Sequence, residues 1–202
     1  HEIRNPLAGI KGFAQLVETS SNLEQARRHA EKIVIQSLRM EALVNDLLAF
    51  ARDDRGELEM SDLPALIQDC AILLRPEAAT QNVAIEVVVP AQLKAQVAVD
   101  RIIQLLLNLM KNAIQAMPNG GLLTVSLRVK GGIAELTVRD NGIGIQPEHL
   151  HHIFEPFWTS KAQGTGLGLA LCSKVAEEHG GHLTVESTVG IGTEIVVKLP
   201  VQ

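Results

Sequence analysis

Between Ile3 and Ala51 the seam positions step at alternating spacings of four and three, and this pattern constrains the fold more than any other feature. Ile3, Leu7, Ile10, Ala14 and Val17 follow the rule, Ser20-Ser21-Asn22 interrupts it, and Ala26, Ala30, Ile33, Ser37, Met40, Val44, Leu47 and Ala51 resume it. A mean step of about 3.5 residues is the seam of a coiled coil or helix bundle. Asn22 is a good cap for the second helix. Two helices joined by so short a break form an antiparallel hairpin. A lone hairpin buries only one stripe per helix, so the pattern predicts a four-helix bundle made with a second copy of the chain. Pro6 stands inside the first helical segment and predicts a bend there.

Asp53-Asp54-Arg55-Gly56 ends the periodicity and marks a boundary. The division expected is a helical hairpin over residues 1–56 and a second domain over 57–202. The second domain reads as α+β. It predicts a short strand at Glu57–Met60, a helix capped by Asp62 and running to Ala79, and a strand at Val83–Val89. An apolar helix follows over Arg101–Ala116, capped by Asp100. Leu122–Lys130 and Ile133–Arg139 alternate about Gly131-Gly132 and read as a hairpin. A helix is expected from Gly166 to His179, then a second hairpin, His182–Ser187 with Glu194–Leu199, around Gly190-Ile191-Gly192. Strands and helices that do not alternate regularly predict a mixed sheet with helices on one face.

Composition narrows the function. Of 202 residues 46% are apolar, enough for a packed core. The net charge of −5 leaves no electrostatic footprint for nucleic acid or an anionic membrane, and four Phe, one Trp and no Tyr give no stacking platform for bases. Cys70 and Cys172 lack metal-ligand spacing and read as reduced core thiols of a cytoplasmic protein. No apolar run approaches the roughly 18–20 residues of a membrane span. The chain opens inside a motif and without Met, so it reads as a fragment, whose parent could be anchored in the inner membrane.

Four segments carry candidate chemistry, and each has a bland reading when taken alone. Asp140-Asn141-Gly142-Ile143-Gly144-Ile145 ends a strand in a carboxylate that can accept from an exocyclic amine, with glycines that let the backbone approach a flat ligand. It equally suits a tight turn. Gly164-Thr165-Gly166-Leu167-Gly168-Leu169 leads glycines into a helix start, an anion site by its free N–H groups, or else a flexible linker. Asn108-Leu109-Met110-Lys111-Asn112 puts two amides one turn apart on an apolar helix, where their oxygens suit Mg²⁺ and Lys111 a phosphate. Surface asparagines would look the same. His1-Glu2-Ile3-Arg4-Asn5-Pro6-Leu7 sets a nucleophilic imidazole beside a carboxylate. A lone His at a helix start is otherwise a surface residue.

In this order the four segments closely resemble the two-component sensor histidine kinases. Phe154-Glu155-Pro156-Phe157 is similar to that family's lid aromatic motif and Gly192-Thr193 to its last short motif, so the resemblance spans the chain. It implies that His1 is phosphorylated, that Glu2 activates it, and that Asn5 serves dephosphorylation. It implies Asn112 as Mg²⁺ ligand, with Asn108 and Lys111 on the phosphate side. Asp140 would read the adenine amino group, with Gly142, Gly144 and Ile145 beside it. Phe154 belongs to a lid spanning about Gly144 to Gly164. Thr165, Gly166, Leu167, Gly168 and Leu169 would cradle phosphates, and Thr193 would offer an adenine-side hydroxyl. Lys161, in Phe157-Trp158-Thr159-Ser160-Lys161, could neutralise phosphate charge. That segment and the His1–Leu7 box are similar to the nitrogen-regulation type of sensor kinase.

The resemblance also implies ATP or ADP with Mg²⁺ as ligands, a homodimer through the hairpin, and the receiver domain of a response regulator as partner. No nucleic acid or direct membrane contact is expected. Catalysis would be in-line phosphoryl transfer with Asp53–Gly56 as hinge, and Glu2 with Asn5 suits a regulator phosphatase as well. Two other readings stand beside it. One is an ATPase of the same nucleotide fold, although Asn108 cannot act as a base. The other is a nucleotide-binding dimerisation module without catalysis. With His1 terminal, such a fragment is expected to bind nucleotide, dimerise weakly and autophosphorylate poorly. His149-Leu150-His151-His152 reads as a solvated cluster, and His29, His179 and His182 belong to no constellation.

Overall fold

The computed structural model describes residues 3–51, 56–161 and 164–201. The readings of His1 and Glu2, and of Asp53, Asp54 and Arg55 at the boundary, fall outside them. Backbone contacts group the chain into two compact units. One gathers His1–Arg52 with Phe157–Leu167, the other Asp53–Pro156 with Gly168–Gln202.

The first unit is built on α1 (Arg4–Glu18) and α2 (Leu23–Ala51). Asn22 caps α2 as its sequence position predicts, its Oδ1 accepting the Gln25 N–H at 2.8 Å. Pro6 is buried and lies in the first described turn of α1. The helices pack antiparallel. A Cβ on Gly9 would lie 3.3 Å from Gln36, the Phe13 ring stacks on His29 with centroids 6.3 Å apart, and Lys32 Nζ stands 5.2 Å from the Phe13 centroid. His29 thus has a packing role that its sequence context does not announce. The stripe of α2 facing α1 includes His29 and Gln36, one position before Ala30 and Ser37, and Ala26, Ile33 and Met40 of the expected seam are half-buried. Much of the apolar surface on α2, including Val34, Ile35, Leu38 and Leu48, remains exposed in the single chain.

The second unit holds β1 (Glu59–Asp62), α3 (Leu63–Thr80), β2 (Val83–Val88), β3 (Lys94–Val97), α4 (Val99–Gln115), β4 (Gly121–Lys130), β5 (Ile133–Asp140), α5 (Gly168–Glu178), β6 (His182–Thr188) and β7 (Gly192–Pro200). Five strands form a mixed sheet in the order β2-β4-β5-β7-β6, in which only β2–β4 is parallel, and β1 pairs antiparallel with β3. Period-two alternation buries Leu123, Val125 and Leu127 of β4, Ala134, Leu136 and Val138 of β5, and Ile195, Val197 and Leu199 of β7. These residues are register partners across the sheet, so they form one apolar face. Helix α4 contributes Leu105, Leu106, Leu109, Met110 and Ile114, all essentially without solvent contact, and packs against α3, α5 and the sheet.

Three local expectations change. Asp62 and Asp100 cap nothing through their side chains. Asp62 Oδ1 instead accepts the Leu93 N–H at 2.8 Å, tying the β1–α3 corner to the segment before β3, and Asp100 lies in the first turn of a helix that begins at Val99. Strand β3 escapes the pattern because Lys94–Val97 is too short and mixed to alternate convincingly. Helix α5 starts at Gly168, two residues after the expected Gly166.

Candidate active site

The alternation that builds the sheet also places its most unusual buried residue. Asp140 is the last residue of β5 and continues the row Ala134, Leu136, Val138 on the apolar face, where it is 7% exposed. Its neighbour across the β5–β7 pair is Thr193, 8% exposed. Asp140 Oδ1 accepts the Gly142 N–H at 2.8 Å and the Thr193 N–H at 3.3 Å. Both bonds hold the carboxylate in one orientation.

Around Asp140 the chain comes so close to itself that side chains are excluded. A Cβ on Gly142 would strike the Ala116 carbonyl, the carbonyl group that accepts the next N–H, from Ile143, at 2.9 Å. Gly144 has φ 69° and faces the Thr188 carbonyl at a separation no Cβ could occupy. The Ile145 N–H then donates to Ser187 Oγ at 2.9 Å, and that hydroxyl lies 2.9 Å from Thr193 Oγ1 and donates to the Gly192 carbonyl at 2.9 Å. Asp140, Gly142, Gly144, Ile145 and Thr193 are therefore brought together, through Ser187. Sequence reading missed Ser187. Its only signal was a hydroxyl at the end of an edge strand before a glycine turn. Asn141 serves the frame, its Oδ1 accepting the Leu122 N–H at 2.8 Å.

A second group forms on α4. Asn108 and Asn112 are half-buried and Lys111 is exposed. A Cβ built on Gly168, the first residue of α5, would lie 3.8 Å from both Asn108 Cγ and Asn112 Nδ2. The two amides thus stand against the N-terminus of a helix, where unpaired backbone N–H groups gather. Asn108 Nδ2 is buried and meets the weakly accepting Cys172 sulfur, an arrangement that costs free energy unless a stronger acceptor is supplied. Cys172 lies nearby and donates to the Leu105 carbonyl at 3.7 Å. Burial pushes its thiol well above the ordinary range, against a smaller opposing effect of the Asn108 amide. A neutral thiol cannot replace a phosphate oxygen as acceptor.

Of the remaining candidates, Phe154 is half-buried, Asn5 is exposed on α1 and Leu169 is half-buried in the first turn of α5. Lys161, Thr165, Gly166 and Leu167 fall in the first unit. There Phe157, at φ 69°, donates its N–H to the Gly166 carbonyl at 2.9 Å, and Thr165 Oγ1 donates to Asp46 Oδ2 on α2 at 2.7 Å. Leu167 is fully buried and its N–H points to Thr165 Oγ1 at 3.4 Å. Among the described residues no three His, Cys, Asp or Glu could together hold a metal ion, and no helix is long and apolar enough to cross a membrane.

Comparison with known proteins matches two parts of the chain. Residues 98–202 match the family described as histidine kinase-, DNA gyrase B- and HSP90-like ATPase, and residues 1–56 match the His Kinase A (phospho-acceptor) domain. The chain is similar to sporulation kinase D of Bacillus subtilis, at 37% identity over all of this chain and 40% of that protein. It is also similar to the sensor histidine kinase ZraS of Escherichia coli K12, at 36% identity over all of this chain and 44% of that protein. The chain therefore spans less than half the length of these curated relatives. Among solved structures it resembles histidine kinase ThkA in complex with the response regulator TrrA (TM-score 0.85, 26% identity, all of this chain and 59% of that one). It also resembles full-length ShkA in complex with AMPPNP (TM-score 0.73, 32% identity, all of this chain and 44% of that one).

Proposed function

The chain belongs to the sensor histidine kinases, and from that premise we propose that it binds Mg-ATP, accepts the γ-phosphoryl group on His1 and passes it to an aspartate of a response regulator. The observation that carries the nucleotide reading is Asp140, a buried carboxylate clamped by the Gly142 and Thr193 N–H groups in a cradle that excludes side chains. A carboxylate so oriented suits an exocyclic amine, and a backbone so close suits a flat ring. We take residues 1–56 as the phosphoacceptor hairpin and 57–202 as the nucleotide domain.

The phosphate end is assigned to Asn108, Lys111, Asn112 and the chain from Thr165 to Leu169. The buried Asn108 Nδ2 supports this, because a phosphate oxygen is a far stronger acceptor than the Cys172 sulfur beside it. The amide oxygen of Asn112 is a hard neutral donor of the kind Mg²⁺ takes when phosphates supply the charge. The ion would add charge neutralisation of the phosphate oxygens. In the transfer, a nitrogen of His1 attacks the γ-phosphorus in line. The N–P bond forms as the bond to the β,γ-bridging oxygen breaks, and ADP leaves with that electron pair. Glu2 would hold the proton on the other ring nitrogen, and Asn5 would serve the reverse release of phosphate from the regulator.

Exposed Val34, Ile35, Leu38 and Leu48 support a homodimer through the hairpin, since such a surface on a bundle helix favours burial against a second copy. Incubation with γ-labelled ATP tests the whole reading. Label that stays on the protein in alkali and is lost in acid, and that disappears in His1→Gln, is expected. Release of free phosphate alone would indicate an ATPase, and label that persists in His1→Gln would refute the assignment of His1.

A further inference from the structure

Within the first unit, one hydrogen bond joins two segments that lie 119 residues apart in sequence: Thr165 Oγ1 donates to Asp46 Oδ2 at 2.7 Å, in a half-buried setting. Thr165 belongs to the glycine segment assigned above to phosphates. Asp46 belongs to α2. The contacts Gly9 with Gln36 and Phe13 with His29 set an antiparallel register that carries the first turn of α1 toward the stretch of α2 holding Asp46. The carboxylate therefore belongs to the end of the hairpin where the phosphoacceptor segment begins.

A threonine hydroxyl has a single proton to donate. Given to Asp46, it cannot be given to a phosphate oxygen. The bond also shapes the segment, because the Leu167 N–H points at the same Oγ1 and leads directly into the Gly168 helix start. We propose that Asp46 and Thr165 form a nucleotide-sensitive clasp: with no nucleotide bound the glycine segment is held on the phosphoacceptor hairpin, and the phosphates of ATP release it by taking over the Thr165 proton. This rests on the reading of the Thr165–Leu169 segment as the phosphate site. By linkage, whatever the clasp contributes to holding the segment is subtracted from nucleotide affinity, and removing it returns that affinity.

The experiment is a double-mutant cycle on the full chain, with AMPPNP as the phosphate-bearing probe and adenosine as the probe without phosphates, titrated calorimetrically. Asp46→Ala is expected to tighten AMPPNP about tenfold, the scale of one charge-assisted hydrogen bond, and to leave adenosine unchanged. In the Thr165→Val background the same substitution is expected to do nothing. Tightening of equal size in that background would mean plain charge repulsion and overturn the clasp, as would no tightening in the parent chain. Failure of the parent chain to bind either probe would refute the nucleotide reading and the coupling together. Normal binding without a cycle term removes the clasp alone. Amide exchange of residues 164–167 in the nucleotide-free chain adds a second measurement: it should quicken in both single variants, and unchanged rates would overturn the clasp whatever the affinities.

Discussion

Asp140 and Thr193 stand directly opposite each other in the β5–β7 pair, and the Thr193 N–H reaches across to Asp140 Oδ1 at 3.3 Å. The carboxylate that would read adenine is thus aimed by the strand that closes the sheet. Asp140→Asn keeps a similar shape, and its amide oxygen can still accept the two N–H groups that meet at Oδ1, but it turns an NH₂ toward the incoming amine, which requires an acceptor. AMPPNP affinity should fall roughly 10- to 100-fold, the worth of a charged hydrogen bond, while circular dichroism stays unchanged. Unaltered affinity in a folded D140N protein would remove Asp140 from the site.

Gly144→Ala tests the cradle rather than the charge. The position combines a left-handed φ of 69° with contact against the Thr188 carbonyl. The strain of the backbone alone is worth about 1 kcal/mol or more, and the steric conflict forces the Ile143–Ile145 turn away from the β6–β7 corner. The expected outcome is a lower unfolding midpoint in urea together with lost nucleotide binding. Full binding with unchanged stability would mean that the turn is not held as described.

How far the sequence led can be judged from particular residues. The adenine-side carboxylate was legible because Asp140 sits at the end of a strand whose alternation is strong on both sides, so period and motif agree. The hairpin was legible for a related reason: Ala26, Ile33 and Met40 of its seam are half-buried, while the contacts to α1 also use His29 and Gln36. The periodicity sums every apolar contact of α2, whereas His29 and Gln36 report only those made to α1 within one chain. Ser187 and Asp46 were invisible because each acts through partners distant in sequence, Ile145 and Thr165, that only the folded backbone brings near. Asp62 and Asp100 misled as caps because local preference yields to whatever partner tertiary structure supplies; for Asp62 that partner is the Leu93 N–H.

His179 follows the last turn of α5 and ties it to the start of α4. Its Nδ1 lies 2.7 Å from the Val175 carbonyl, which requires the proton there, and the bare Nε2 accepts the Ala98 N–H at 3.0 Å. The buried Arg101–Glu178 pair, at 3.6 Å, braces the same junction. Replacing His179 with Ala leaves the Ala98 N–H without an acceptor and should cost about 1–3 kcal/mol in urea denaturation. His179→Gln, which can still accept, should recover part of the loss. Equal stabilities for the two variants would show that the ring contributes packing only.

The two thiols set how stability changes in alkali. Burial, and secondarily the charge of Asp69, raises Cys70 to about 11, and burial raises Cys172 further, so the fold holds both thiols protonated. An unfolded chain releases those protons near the ordinary thiol value of 9.0. Below that pH the folded and unfolded states bind the same number of protons at these sites and the thiols do not affect the pH dependence. As pH rises from 9 toward 11 the unfolded state loses protons that the folded state keeps, so stability falls. Urea denaturation at pH 8 and pH 10 should therefore show a larger drop in the parent chain than in Cys70→Ala/Cys172→Ala, whatever the absolute stability of the variant. Thiol-specific reagents at pH 8 should label both cysteines only at the rate of unfolding. Rapid labelling of Cys172 in the folded protein would contradict its enclosure beside Asn108.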